Sequence, residues 1–222
     1  MEFTFAKPEG FAHQAGQTMD LTLIDPPETD AEGNSRTFSI VSAPHEPVLK
    51  IATRLRDTAF KRTLKAMPEG APIQVEGPFG SFLLHETASR PAIFLAGGIG
   101  ITPFHAMIED ATQRQLPHSI YLFYSNRRPE DTAFLDELQR FAAENPRFTL
   151  VATMTDREKS ARRWEGERGF IDAAMLARHI PEGTFPIYYL AGPQAMVTAM
   201  RTMLAGSGVS NDDIRFEEFA GY

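Results

Sequence analysis

The stretch FLAGGIGITPF, residues 94–104, joins an apolar run to a glycine-rich turn and then to the start of a helix. The run over 92–96 is short and continuously apolar, as expected for a strand buried on both faces of a parallel sheet. The turn holds three glycines that allow positive φ and close approach of a ligand, namely Gly97, Gly98 and Gly100. Thr102 can cap the helix, whose first amides would attract phosphate, although such a turn can also bind nothing.

The pattern around this stretch alternates strand and helix to the end of the chain. Apolar runs recur at 92–96, 119–124, 148–153, 187–191 and 214–219, with helical stretches at 103–113, 129–143, 172–179 and 193–204. This alternation predicts a five-stranded parallel sheet with helices on both faces, forming an α/β domain over residues 87–222. Ligands bind such sheets beyond the carboxyl ends of the strands, where a second turn, Gly192-Pro193, also lies.

The first part of the chain, residues 1–86, has a different pattern. Short alternating runs at 2–6, 18–24 and 48–54, and further short runs at 73–75 and 81–84, are separated by turn-rich pieces. One stretch, residues 59–67, is typical of a helix. The pattern predicts an antiparallel β-barrel that carries one helix.

Within the predicted barrel, Arg36-Thr37-Phe38-Ser39 combines three kinds of chemistry. A guanidinium can bind phosphate in a bidentate manner, a phenyl ring can stack on a flat heterocycle, and a hydroxyl can bond a ring nitrogen. The same tetrapeptide would also fit an edge strand with an exposed Arg36 and a core Phe38. The residues alone leave both interpretations open.

Two further places could bind nucleotide phosphates or sugars. Asp57 or Thr58 can cap the helix at residue 59, which leaves its first amides free for an anion beside Lys61. Arg127 follows the second parallel strand, where an arginine can reach an adenosine ribose or its 2′-phosphate, and the charged loop 156–169 follows the third. For Lys61 and both loops, ordinary solvated surface is an equally open interpretation.

Composition excludes several classes of function. The chain has 222 residues, no cysteine and a formal net charge of −7. The acidic balance argues against a nucleic-acid surface, and the absence of cysteine rules out a disulfide, a catalytic thiol or a Cys-ligated iron-sulfur cluster within this sequence. The histidines show no metal-ligand spacing, so no metal site is predicted. No run approaches a membrane span and the first residues do not resemble a signal peptide, so a cytoplasmic location is expected.

A barrel with Arg-x-aromatic-Ser, followed by Gly-Gly-x-Gly-x-Thr-Pro and then Gly-Pro, resembles the ferredoxin-NADP reductase superfamily. The resemblance covers nearly the whole chain with the motifs in the same order. It implies an antiparallel Greek-key flavin-binding barrel, then a nucleotide-binding domain. It also implies bound FAD, although the family uses FMN too, and NAD(P)H as the co-substrate that gives hydride to the flavin.

The resemblance also assigns roles to single residues. Arg36 would hold flavin phosphate, Phe38 would stack on the flavin, and Ser39 would hydrogen-bond its N5. Thr102 would lie where the two cofactors meet. The other implied contacts to flavin or nucleotide come from Ile51, Ala52, Thr53, Thr58, Ala59, Phe60, Lys61, Gly97, Gly98, Gly100, Arg127, Gly192 and Pro193. At the end of the chain Glu217, Glu218 and Phe219 resemble the family's acidic and aromatic terminus beside the flavin, with Glu218 as the site residue, and Phe219 or Tyr222 would shield the flavin ring.

Some positions depart from the family pattern. Phe38 stands where the family has tyrosine, and Ala191 stands where many relatives have cysteine. The sequence begins at what looks like the second part of the family's opening hairpin, so a partner could supply the first barrel strand. The predicted function is an NAD(P)H-dependent flavin oxidoreductase with a separate electron acceptor, such as an iron-sulfur or haem protein or a small molecule. The alternatives are a non-catalytic subunit of a larger complex and a nucleotide sensor without flavin.

Overall fold

The computed structural model describes residues 1–219, and its first part consists of antiparallel strands and one helix. The elements are β1 (Glu2–Ala6), β2 (Thr18–Leu23), β3 (Ser35–Ser39), β4 (Val48–Ala52), α1 (Ala59–Ala66) and β5 (Ile73–Phe79). One sheet pairs β1 with β4, and the other has the order β3-β2-β5. Together these sheets make the predicted antiparallel barrel.

The barrel core follows from the alternation that the sequence shows. Along β2, Met19, Leu21 and Leu23 are buried while the residues between them are partly exposed. They pack with Leu49, Ile51, Phe60 and Leu64 from β4 and α1. The predicted strand at 81–84 is absent, because this segment folds on itself through a Leu83 N–H to Ser81 O bond and buries Phe82 against the second half.

The second part is a parallel sheet covered by helices. Its elements are β6 (Ala92–Gly97), α2 (Thr102–Gln113), β7 (Ile120–Asn126), α3 (Leu135–Glu144), β8 (Phe148–Met154), β9 (Glu167–Arg168), α4 (Ala173–His179), β10 (Ile187–Pro193), α5 (Gln194–Gly206) and β11 (Ile214–Phe219). The order is β11-β10-β6-β7-β8-β9, with every pairing parallel. The five predicted strands are present, and β9 adds a sixth.

Two differences from the predicted elements have local causes. The strand β9 has only two residues, Glu167 and Arg168, whose polar side chains give no apolar run to recognise. The predicted helix over 129–143 is divided into a short 3-10 turn at Pro129–Asp131 and α3, because Phe134 has a left-handed backbone with φ of 58°.

Apolar side chains cover both faces of the parallel sheet. On one face, Phe94 of β6 packs with Phe104 of α2 and Leu138 of α3. On the other face, Leu95 of β6 packs with Met175 of α4 and Val197 of α5. The sheet order changes direction between β6 and β10, and in α/β sheets such a switch point marks the ligand crevice. Within residues 1–219, no helix has the length and hydrophobicity needed to span a membrane.

The barrel and the parallel-sheet part touch through α2. His105 is buried on this helix, and its Nδ1 lies 3.3 Å from the carbonyl oxygen of Val41 in the barrel. Its Nε2 lies 3.1 Å from the carboxylate of Glu137 on α3. One imidazole therefore connects the barrel backbone to two helices of the second part.

Candidate functional site

The start of α1 gathers positive charge. Thr58 caps the helix, since its hydroxyl oxygen accepts the Lys61 N–H at 3.3 Å, as predicted. The pKa of Lys61 is lowered by burial and then by the nearby Arg56 and Arg36 guanidinium groups. Convergent cations at a helix start are what an anion such as a diphosphate requires.

Two rings lie beside these cations. The Phe38 and Phe60 ring centroids are 5.9 Å apart, and the Arg36 guanidinium carbon lies 5.2 Å from the Phe60 centroid. Arg36 and Phe38 occupy alternate positions of β3, and both are partly exposed. The structure thus brings together a cation and an aromatic surface, two of the elements that the sequence predicts for a flavin site.

Ser39 is the next residue along β3 and points to the opposite face. It is 3% exposed, and its Oγ has no hydrogen-bond partner among residues 1–219. A buried hydroxyl without a partner is uncommon, and it can bond a ligand, a water or an ion. The residues therefore fit a bound flavin, with Ser39 available to a ring nitrogen.

The strand β4 gives a mixed result. Ile51, Ala52 and Thr53, for which the resemblance implies backbone contacts to the cofactor, are all buried along the barrel. The Thr53 N–H donates to the Met1 carbonyl oxygen at 3.0 Å, and the Thr53 carbonyl accepts from the Met1 amino group at 2.9 Å. The backbone donor of Thr53 is thus already used within the protein.

The two glycine turns pack directly on each other at the switch point. Gly98 has φ of 54° and Gly192 has φ of 155°, backbone conformations that favour glycine. A Cβ on Gly192 would lie 3.2 Å from the backbone N and O of Gly97. The two turns therefore pack against each other at the carboxyl ends of β6 and β10.

The role that the sequence predicts for these glycines needs correction. A Cβ on Gly97 would lie 2.3 Å from the Met196 sulfur, and one on Gly100 would lie 2.3 Å from the Ala191 carbonyl oxygen. The space beside them is filled by the chain itself, so they permit close packing of the turns and do not leave room for a ligand in those directions.

Thr102 also differs from its predicted local role. A 3-10 helix, Gly98–Ile101, precedes α2 without a break, so Thr102 is not the cap of a new helix. It is 3% exposed, and its hydroxyl donates to the Ile99 carbonyl oxygen at 3.1 Å. The Tyr124 hydroxyl donates to the Gly98 carbonyl oxygen at 3.0 Å, which ties this turn to the end of β7.

Replacing Gly100 by alanine is expected to lower the free energy of unfolding by about 1–3 kcal/mol, because the added methyl would collide with the Ala191 backbone. Urea unfolding would measure the difference. Gly206→Ala is the matched control, since a Cβ there has nothing within 4 Å. Equal stability of Gly100→Ala and wild type would contradict the close packing of the two turns.

The strand β11 places its acidic residues on opposite faces. Glu217 and Phe219 are partly buried, and Phe219 packs against the core beneath α2, whereas Glu218 is exposed. The Glu217 Oε2 has no hydrogen-bond partner in the described part of the chain, and burial raises the pKa of this carboxyl to about 7. The motif at the end of the sequence includes Glu217, although Glu218 was the acidic residue predicted for the site. The predicted Tyr222 lies outside the described residues.

A charged cleft lies at the other edge of the sheet. Arg127 is exposed after β7, and its carbonyl oxygen accepts the Asp156 N–H at 2.8 Å, which joins the two loops that the sequence singles out. The cleft has a volume of about 530 Å³ and is lined by Arg157, Glu158, Ser160, Arg162, Arg163, Trp164, Glu165 and Arg168. Its arginines make it a basic surface in an acidic protein. No group of three His, Asp or Glu side chains within 1–219 is arranged to hold a metal ion.

Comparison with known proteins agrees with this geometry. Residues 94–202 match the family described as the oxidoreductase NAD-binding domain. The chain is 27% identical over 233 residues to ferredoxin-NADP reductase B of Sorangium cellulosum, covering 98% of this chain and 91% of that protein. It is 30% identical over 151 residues to the toluate 1,2-dioxygenase electron transfer component of Pseudomonas putida, covering 68% of this chain and 43% of that protein. The chain therefore matches less than half the length of that second relative.

The fold is also shared with a solved structure. A ferredoxin NADP+ reductase from Neisseria gonorrhoeae with bound FAD and NADP superposes with a TM-score of 0.78 at 22% identity. The match covers 98% of this chain and 91% of that one. The whole fold, barrel and parallel sheet together, is thus common to both proteins.

Proposed function

Because this chain belongs to the ferredoxin-NADP reductase-like superfamily, we propose that it is an NAD(P)H-dependent flavin oxidoreductase with a separate electron acceptor. The observation that carries the proposal is the buried Ser39 hydroxyl, which has no hydrogen-bond partner among residues 1–219. Ser39 follows Phe38 along β3, and the cations at α1 lie beside the Phe38 and Phe60 rings. A bound flavin would accept hydride from the nicotinamide and pass electrons on, so the protein's part is to bind, orient and shield.

We assign the flavin to the barrel. Arg36 and Lys61, with the α1 amides after Thr58, would hold the phosphates, and Phe38 and Phe60 would border the rest of the cofactor. The start of α1 with three cations suits a diphosphate, which favours FAD over FMN. Ser39 would donate to or accept from the flavin ring. Ile51 and Ala52 would line the same site through β4.

We assign the nicotinamide nucleotide to the switch point of the parallel sheet. Thr102 and the turns at Gly98 and Gly192 would lie near the nicotinamide, and Arg127 would reach the adenosine end. Phe219 would cover the flavin, with Glu217, in place of the predicted Glu218, as the acidic group on its face of β11. Residues 1–86 and 87–222 would then be the flavin and nucleotide domains.

The separate acceptor is a further part of the proposal. The relative from Pseudomonas putida is named as an electron transfer component of a dioxygenase. An iron-sulfur or haem protein, or a small molecule, would serve in the same way here. A cytoplasmic location belongs to the proposal as well, and cell fractionation would test it.

Anaerobic titration with a reduced nicotinamide is the direct test. After incubation with FAD and removal of the excess, the protein should be yellow, and NADH or NADPH should bleach its absorbance near the flavin band. The more effective nucleotide identifies the coenzyme. A protein that stays colourless would refute the flavin site, and a yellow protein bleached by neither nucleotide would refute the reductase activity.

A further inference from the structure

The segment before β3 places carboxylates over the predicted phosphate site. Residues 28–33, which we call the acidic strap, contain Glu28, Asp30 and Glu32. Between the strap and the first turn of α1 lies a cleft of about 370 Å³. It is lined by Glu28, Thr29, Asp30, Ala31, Glu32, Asp57, Thr58, Ala59 and Arg62. The strap therefore faces the helix start that would receive the flavin diphosphate.

Asp30 occupies the anion position itself. Its Oδ1 accepts from the Arg36 Nη2 at 2.7 Å and from the Glu32 N–H at 3.0 Å. Burial acts to raise the pKa of Asp30, but the hydrogen bonds from the Arg36 guanidinium and the Glu32 amide outweigh it and lower the pKa. Asp30 lines the same cleft as Ala59, the first residue of α1. A carboxylate bonded by a guanidinium and a backbone amide beside a helix start has the partners that a phosphate oxygen would have.

Other donors of Arg36 also contact the strap. Its Nε lies 3.0 Å from the Glu32 carboxylate, and its Nη1 donates to the Glu32 and Gly33 carbonyl oxygens at 3.0 Å each. At the other end of the strap, Glu28 pairs with Arg62 on α1. A flavin phosphate could not bind Arg36 until these contacts are released.

We propose that Asp30 is an internal competitor for the flavin phosphates, and that the acidic strap must leave Arg36 and α1 before flavin binds. This inference rests on the proposed function, because it takes the α1 start as the flavin phosphate site. The apparent affinity for flavin is then reduced by the fraction of molecules in which the strap is closed. The strap would set how readily this protein keeps or exchanges its flavin.

Flavin affinity of Asp30→Asn tests the proposal without any measurement of activity. Quenching of flavin fluorescence on binding gives the dissociation constant, and stopped-flow mixing gives the association rate. If the strap is closed in about nine molecules of ten, Asp30→Asn should tighten FAD binding about tenfold, mainly through faster association. FMN should also bind more tightly, whereas riboflavin, which has no phosphate, should bind equally to variant and wild type.

Two further variants separate this effect from simpler causes. Glu9→Gln removes the same charge from an exposed residue outside the strap and should leave FAD affinity unchanged. Glu32→Gln removes the second carboxylate from Arg36 and should give a smaller tightening than Asp30→Asn.

The outcomes distinguish the two proposals. If Asp30→Asn has the unfolding midpoint of the wild type but binds FAD equally or more weakly, the proposed competition by the strap is wrong, and the proposed flavin site is unaffected. Equal tightening of riboflavin would also overturn it, because the effect would not concern phosphate. If neither wild type nor Asp30→Asn binds any flavin, the proposed function and the strap both fail.

Discussion

Replacing Arg36 by alanine should weaken FAD binding about 100-fold, or about 2.7 kcal/mol, while the barrel stays folded. The guanidinium is the cation closest to both the Phe60 ring and the anion position held by Asp30. Its loss removes a charge-assisted bond to phosphate, and the contacts to Lys61 and the α1 amides would remain. Fluorescence titration with FAD and circular dichroism would measure the two effects.

A control at the same helix makes this result specific. Lys65→Ala removes another cation of α1, but Lys65 is exposed in the last turn of the helix, away from Thr58 and from the strap. We expect the FAD affinity of this variant to change by less than about threefold, because an exposed charge contributes little. The FAD affinity of Arg36→Lys should lie between those of wild type and Arg36→Ala, because lysine keeps the charge and loses the bidentate geometry. Wild-type affinity in Arg36→Ala would remove Arg36 from the phosphate site.

Replacing Glu217 by glutamine should raise the free energy of unfolding of the flavin-free protein by up to about 3 kcal/mol at pH 9. Burial raises the pKa of Glu217 from 4.5 to about 7 in the folded protein. Between these values the folded state keeps a proton that the unfolded state has released, so the wild type loses stability as the pH rises from 4.5 through 7. Above pH 7 the partly buried carboxylate is charged, and its Oε2 has no hydrogen-bond partner within residues 1–219 to offset the burial.

Urea unfolding at pH 5 and pH 9 would measure this effect. The difference between wild type and Glu217→Gln should be small at pH 5 and large at pH 9, and other titrating groups cancel because both proteins contain them. Glu218→Gln is the matched control, since this neighbour on β11 is exposed and should change stability little at either pH. Parallel pH dependence in wild type and Glu217→Gln would show that Glu217 is not held protonated by burial.

Most of the fold was predictable from local patterns in the sequence. Alternation along β2 and the continuous apolar run of β6 each reflect how one strand is buried, and both appear in the sequence itself. The Thr58 cap is equally local, because the hydroxyl and the Lys61 amide are three residues apart. Such features need no knowledge of distant parts of the chain.

The site was less predictable where it depends on contacts between distant residues. Asp30 lies across one cleft from the start of α1 only because residues distant in the sequence fold against each other. The burial of Glu217 depends on the partners of β11 and on the core that packs beneath it, so a sequence with two adjacent glutamates does not reveal which one is inside. Charge and residue type indicated the chemistry of the site, whereas tertiary packing decided which residues face it.

The contact between the two glycine turns has a consequence for how this protein can change during evolution or design. At Gly97 the obstacle to a larger residue is the flexible end of Met196, so a smaller residue at 196 could compensate for a substitution at 97. At Gly100 the obstacle is the Ala191 backbone, which every amino acid possesses. The two glycines of this turn therefore differ in how they can be replaced. A substitution at Gly97 can be compensated by a second substitution, whereas one at Gly100 meets a main-chain atom that no second substitution removes.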